Sequence, residues 1–180
     1  MTTHIDSGTG PGVGGTNRPR PQRIIYELNG QRIECEVEPR TLLVHHLREE
    51  QLLTGTHIGC DTSQCGACAV HVNGRVVKSC TMLAVQVNGA VVTTIEGVSG
   101  DNGVILHPIQ EMLRRKHGLQ CGFCTPGIVM TAMELLDTDD ELSHDDVRHG
   151  LIGNICRCTG YQNIVESIVE LSQNQSGSHE

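Results

Sequence analysis

The sequence predicts an α+β protein built as two consecutive halves, a small sheet carrying one helix followed by an all-α four-helix unit. Three observations predict it. Two hairpin signatures, each centred on Asn-Gly, fall before Gly97 and none follows Gly103. Helical periodicity takes over after the glycines Gly97, Gly100 and Gly103, and the nine cysteines include one closely spaced set in each half.

Taken in order, residues 1–22 are rich in Gly, Thr, Pro and Arg and poor in apolar residues, which predicts a disordered tail. Gly10, Gly12 and Gly15 satisfy GxGxxG there, but no strand precedes them and no helix follows, so the dinucleotide reading is set aside. From Arg23 the run IIYELNGQRIECEVEP alternates around Asn29-Gly30 and predicts a hairpin, with Cys35 on the same face as Ile33 and Val37, hence a buried and inert core thiol. Residues 41–51 carry Leu42, Leu43, His46 and Leu47 at helical spacing behind Thr41 as cap. A second hairpin is expected at Ala69–Lys78 around Asn73-Gly74, and a further strand over Val91–Ile95. In the second half, Ile109, Met112 and Leu113 mark one helix, and Pro126 opens another that carries Ile128, Met130, Met133 and Leu136. Ser143 opens a third helix, and Ile164, Ile168, Val169 and Leu171 mark a fourth. The expected domains are 23–98 and 99–175, with 176–180 a flexible C-terminus.

With one Phe, two Tyr and no Trp, both cores must be built from Val, Ile, Leu, Ala and Met. Units of roughly 70–80 residues with such cores commonly need a disulfide, a metal or a partner. A formal charge of −8 argues against nucleic-acid or anionic-membrane surfaces. No apolar run reaches membrane-span length and no apolar signal core opens the chain, so a cytoplasmic protein is expected, in which clustered cysteines bind metal rather than form disulfides.

Cys60, Cys65, Cys68 and Cys80 follow the C-x4-C-x2-C spacing of plant-type 2Fe-2S ferredoxins, with the fourth cysteine after the second hairpin. Gly59, Gly66 and Ala67 leave room for backbone N–H groups to approach sulfur. Cys121, Cys124, Cys156 and Cys158 form C-x2-C and C-x-C pairs, each expected just before a helix whose N-terminal dipole favours thiolate. Three ligands crowded into one loop do not suit zinc at the first set; at the second, zinc remains an alternative. The ten histidines are scattered, with His46 expected to face the core and His45 the solvent, and no residue is assigned a catalytic role.

The segments GCDTSQCGACAV (59–70), KSCT (78–81), QCGFCTPG (120–127) and GNICRCTGYQNI (153–164) resemble the small iron-sulfur subunit of the molybdenum hydroxylases, the xanthine oxidase family. The resemblance covers about 23–175 and includes all eight ligand positions. Within the family, EPRTLLVHHLRE (38–49) and LTGTHIGCDTSQCGACAV (53–70) are most similar to the small subunit of aerobic carbon-monoxide dehydrogenase.

The resemblance implies a β-grasp, plant-type ferredoxin-like domain with a flavin-side 2Fe-2S cluster at Cys60, Cys65, Cys68 and Cys80. It further implies a helical domain with a molybdenum-side cluster at Cys121, Cys124, Cys156 and Cys158, and a pterin contact from Gln120. The implied partners are a large subunit holding the molybdopterin cofactor and a medium subunit holding FAD, in a dimer of heterotrimers. The implied role is electron relay during oxidation of carbon monoxide, or of aldehydes, purines or N-heterocycles in a relative. Through the complex, a peripheral position at the inner face of the cell membrane is compatible with the resemblance. Phe123 and Tyr161, beside ligands, are expected to shield and pack. A free-standing two-cluster carrier is the alternative.

Overall fold

The structure is a computed structural model and describes residues 19–100, 104–137 and 141–176. The expected tail up to residue 18, with its GxGxxG glycines, and residues 177–180 of the expected C-terminus lie outside the described residues. Strand β1 (Gln22–Leu28) begins one residue inside the expected tail because Gln22 pairs with Val37 at the end of β2 (Gln31–Val37). Asn29 and Gly30 turn between them with φ of 51° and 79°, the left-handed pair whose twist matches that of the strands. Asn73 and Gly74, at 52° and 79°, do the same between β3 (Ala69–Val72) and β4 (Arg75–Lys78).

β5 (Val91–Thr93) runs parallel to β1 and antiparallel to β3, giving one mixed sheet in the order β2-β1-β5-β3-β4. It stops short of the expected Ile95. Asn29 Oδ1 accepts the Thr94 N–H at 2.8 Å, and a 3-10 turn over Ile95–Gly97 follows.

The expected helix over 41–51 is irregular. One α-turn, α1 (Leu43–His45), widens into a π-turn at His46–Glu50. Thr41 is not its cap: Leu42 holds that position in extended backbone with no side-chain cap, while the Thr41 carbonyl accepts the Ala84 N–H at 2.8 Å. Leu43 and Leu47 are fully buried in the core beneath the sheet and Val44 is fully buried against Cys68 and Cys80, each such side chain contributing roughly 1.5–3 kcal/mol relative to exposure.

Cys35 departs from expectation in burial. It is half-buried because β2 is an edge strand, and its Sγ lies 3.9 Å from Nε2 of the buried His46. His46 also meets Tyr26 Oη and Glu50 Oε2 at 2.8 Å each, so burying this ring leaves neither nitrogen unpaired. His45 is the outward-facing one, paired with Glu49 at 2.9 Å.

The helical half contains α2 (Pro108–Arg115), α3 (Thr125–Leu136), α4 (His144–Gly150) and α5 (Gln162–Ser176). Pro108 and Pro126 stand in first turns, where a missing N–H costs nothing. Ser143 caps α4 reciprocally: its Oγ accepts the Asp146 N–H at 3.2 Å, and the Asp146 carboxylate accepts the Ser143 N–H at 2.9 Å. Ile164, Ile168, Val169 and Leu171 of α5 are buried against α2 and α4 as their spacing predicts.

α3 joins the halves, because it packs on β3 and β4 as well as on its neighbouring helices. The run Gly127–Ala132 is buried on every face. Met130 O accepts from His71 Nε2 at 2.8 Å, and Glu134 Oε1 accepts from Arg75 Nε at 2.7 Å. A Cβ on Gly127 would collide with the Gly66 carbonyl oxygen, so backbone meets backbone there. Ile95 and Val98 pack against the helical core from the sheet side of the joint.

Candidate functional site

The first cysteine set lies on a coiled loop between the π-turn and β3, with Asp61, Ser63 and Gly66 at positive φ. This coiling turns N–H groups inward. Cys60 Sγ accepts from the N–H of Thr62 at 3.4 Å and of Gln64 and Cys65 at 3.3 Å each. The Thr62 and Cys65 backbone bonds pull the Cys60 thiol down to about 6. A Cβ on Gly59 would come within 2.8 Å of Cys65 Sγ, so glycine there keeps the sulfur clear. Gly66 has a different reason from the expected one: its bare Cα faces the Gly153 carbonyl across the joint, and not the sulfurs.

Cys80 sits in a 3-10 turn, Ser79–Thr81, directly after β4. Ser79 fixes it beside Cys68 by donating Oγ–H at 2.7 Å and N–H at 3.3 Å to the Cys68 carbonyl. Val44 packs on both thiols, and burial pushes the Cys68 thiol up to about 11.

The second set is assembled from two loops. Cys121 and Cys124 form the turn into α3, with Cys124 at its N-cap and Gly122 at φ 80°. Cys156 and Cys158 lie on the α4–α5 connection, several residues ahead of α5 and so not immediately before its N-terminus as expected. That loop is held from within. The Tyr161 hydroxyl accepts the Cys156 N–H at 2.8 Å and donates to the Asn154 carbonyl at 3.1 Å. Thr159 Oγ1 lies 3.1 Å from Cys156 Sγ and accepts the Tyr161 N–H at 3.1 Å. Tyr161 therefore positions the Cys156–Cys158 loop as well as packing it.

Cys121 and Cys158 bring their sulfurs to 3.5 Å, and Cys124 pairs with Cys156. Burial, then the Cys156 sulfur, pushes the Cys124 thiol up to about 12. The exposed Cys121 thiol is lowered by the Phe123 N–H.

In both sets the sulfurs come as two close couples: Cys60 with Cys65 and Cys68 with Cys80, then Cys121 with Cys158 and Cys124 with Cys156. Two couples suit two irons that each take two thiolates, the donor set of a 2Fe-2S cluster. Among the described residues no group of three or more His, Cys, Asp or Glu converges on the position of one metal ion.

Between the sets lie Phe123, already marked beside the cysteines, and residues that the sequence did not single out. The Phe123 ring, half-exposed, stacks on His57 with centroids 4.7 Å apart and planes 15° apart, and His57 Nδ1 meets the Phe123 carbonyl at 2.8 Å. The Ile155 N–H donates to the Cys65 carbonyl at 2.8 Å, tying one cysteine loop to the other. Lys78 Nζ donates to the carbonyls of Ser63 and Gly153, at 2.9 Å each. Except for Lys78–Ser63, 15 positions apart, these contacts join residues dozens of positions apart, so local pattern carries no signal for them. Gln120 is exposed beside Cys121, and Cys35 stands apart from both sets.

Residues 26–90 match a family described as a 2Fe-2S iron-sulfur cluster binding domain, and residues 94–169 one described as a 2Fe-2S binding domain. The chain is 47% identical over 152 residues to caffeine dehydrogenase subunit gamma of Pseudomonas sp. (strain CBB1), covering 83% of this chain and 90% of that one. It is 44% identical over 147 residues to the nicotine 6-hydroxylase small subunit of Paenarthrobacter nicotinovorans, covering 82% and 87%. Among solved structures, quinoline 2-oxidoreductase from Pseudomonas putida 86 superposes with a TM-score of 0.82 at 40% identity, covering 89% of this chain and 98% of that one. The chain belongs to the iron-sulfur small subunits of the molybdenum hydroxylase family. This small subunit is an electron-transfer protein with two 2Fe-2S-binding domains, a mixed ferredoxin-like sheet domain and a helical one. Among the described residues no helix is long and apolar enough to cross a membrane.

Proposed function

We propose that Cys60, Cys65, Cys68 and Cys80 hold one 2Fe-2S cluster, and Cys121, Cys124, Cys156 and Cys158 the other, with the domains divided at 23–98 and 99–175. When bound, the clusters supply one-electron carriers between a molybdenum-pterin site on a large subunit and FAD on a medium subunit. The observation that carries this reading is the gathering of eight thiols into two sets, each of two couples, whose loops touch through Ile155–Cys65 and Phe123–His57. The helical set faces molybdenum in this reading, with Gln120 as the pterin contact. Exposed Leu119, Phe123, Ile152 and Ile155 flank that set and supply apolar surface for the large subunit to cover. Cys124→Ser or Cys158→Ser is expected to interrupt electron flow from molybdenum and leave the sheet-domain cluster visible by electron paramagnetic resonance. Unchanged signals from both clusters would defeat the assignment.

The partners proposed are those large and medium subunits, as a dimer of heterotrimers on the cytoplasmic side. Two readings of the substrate follow from different observations. The motifs resemble those of carbon-monoxide dehydrogenase, whereas the caffeine, nicotine and quinoline enzymes among the relatives favour an aromatic N-heterocycle. Dye reduction by the complex recovered with its native partners separates them: turnover with carbon monoxide supports the first, and turnover with N-heterocycles alone supports the second. Recovery of the chain without partners would favour a free carrier.

A further inference from the structure

Lys78 is half-buried where the two ligand loops meet, and both of its hydrogen-bond partners are carbonyl oxygens, Ser63 O and Gly153 O. The ion pairs among the described residues leave it without a carboxylate. No carboxylate among the described residues therefore comes within ion-pair distance of this ammonium.

The two carbonyls lead to different places. A trans peptide directs its C=O and N–H to opposite sides. Behind the Ser63 carbonyl is the Gln64 N–H, which donates to Cys60 Sγ at 3.3 Å. One peptide unit thus connects the ammonium to a sulfur, polarised by the charge on one side and donating on the other. Behind the Gly153 carbonyl is the Asn154 N–H, which donates to the Leu151 carbonyl at 2.9 Å and reaches no sulfur. Lys78 also stands two residues from Cys80, on the strand that delivers it.

We infer that Lys78 is a positioning residue that raises the reduction potential of the cluster held by Cys60, Cys65, Cys68 and Cys80, biasing electrons toward the sheet domain and away from the helical one. The inference rests on the ligand assignment proposed above. Its physics is electrostatic. Four thiolates and two sulfides outweigh two ferric ions, so the oxidised cluster is already anionic and reduction adds a further negative charge. A nearby cation, and an N–H to sulfur strengthened by it, favour the reduced form. The competing account, a simple staple between loops, requires the hydrogen bonds and not the charge.

The test is a redox titration of the assembled complex followed by electron paramagnetic resonance, comparing Lys78→Met, Lys78→Gln and Lys78→Arg. The Cys124→Ser complex identifies which signal is which. In the Met and Gln variants the sheet-domain signal is expected to titrate lower. At the wild-type midpoint its reduced-to-oxidised ratio falls roughly tenfold, equivalent to about 59 mV for a one-electron couple, while the helical-domain signal moves little and Arg retains the wild-type value. Unmoved potentials in both variants, or equal shifts of both clusters, overturn the inference and leave the ligand assignment standing. Should neither Met nor Gln load its clusters, Arg decides: a wild-type potential sustains the charge, whereas a lowered potential or failure to load makes the lysine shape decisive and overturns it. Loss of neither signal in Cys124→Ser would instead strike the ligand assignment itself.

Discussion

The two halves gather four thiols by opposite means. In the sheet domain, three cysteines share one loop whose own N–H groups bond the first sulfur, and a hairpin delivers the fourth. In the helical domain, two loops from opposite ends of the α3–α4 pair must meet before any sulfur couple exists, and the bond that shapes one of them comes from the Tyr161 hydroxyl. The first set is held by local backbone. The second depends on tertiary packing, and damage to that packing should reach it first.

The largest effect that would break this contrast is removal of one cysteine of the second set. Cys124→Ser is expected to abolish the helical-domain cluster signal completely, because a hydroxyl replaces the thiolate at a site whose burial already disfavours the anion. The sheet-domain signal should persist near wild-type intensity, since its loop draws its sulfur bonds from within. Loss of both signals together would mean that the two domains fold as one cooperative unit.

The same contrast explains what was legible in the sequence. The hairpins, the helix starts at Pro126 and Ser143, and the buried face of α5 follow from turn chemistry and periodicity, which act over a few residues. The irregular α1 was not legible. Its apolar spacing suits a helix, but the His46–Glu50 pairing and the burial of Leu47 are satisfied by a π-turn, and Thr41 is drawn away to Ala84. Cysteine spacing marked both sets that the fold gathers, as close spacing within a loop is itself a local feature. His57 and Lys78 gave no local sign, because each acts across the joint between domains. Gly66 was marked for the wrong reason: closeness to sulfur and closeness to a neighbouring loop leave the same glycine in the sequence.

A second way to sharpen the comparison is Gly127→Ala, which strikes the joint where α3 meets the first cysteine loop. Alanine improves helix propensity by about 1 kcal/mol. The added Cβ, however, collides with the Gly66 carbonyl, which is backbone and cannot rotate away. A Cβ driven into backbone falls at the upper end of the about 1–3 kcal/mol that overpacking costs, so the clash outweighs the propensity gain and denaturant unfolding should show a net loss of roughly 2 kcal/mol. A stabilised variant would show that the halves slide apart freely.

Tyr161→Phe should act more gently. The hydroxyl both accepts the Cys156 N–H and donates to Asn154. Its loss leaves a partly buried N–H and carbonyl unpaired, at a cost of about 1–2 kcal/mol. The helical-domain cluster should be lost faster on mild heating or chelation, with the sheet-domain cluster unaffected.

The smallest effect is one of thiol chemistry in the cluster-free chain, and it runs with opposite sign in the two domains. The folded Cys60 thiol sits at about 6, below its ordinary value near 9, so its contribution to stability is present above pH 9 and is lost as pH falls toward 6. The folded Cys124 thiol sits at about 12, so its contribution is present below pH 9 and is lost as pH rises toward 12. At pH 7.5 Cys60 is mainly thiolate and Cys124 mainly thiol. Iodoacetamide mapped by mass spectrometry should therefore modify Cys60 well before Cys124, since only the thiolate attacks. Equal rates at the two positions would mean that the sheet-domain loop does not keep its N–H groups on the sulfur without the cluster, and that its apparent self-sufficiency comes from the metal.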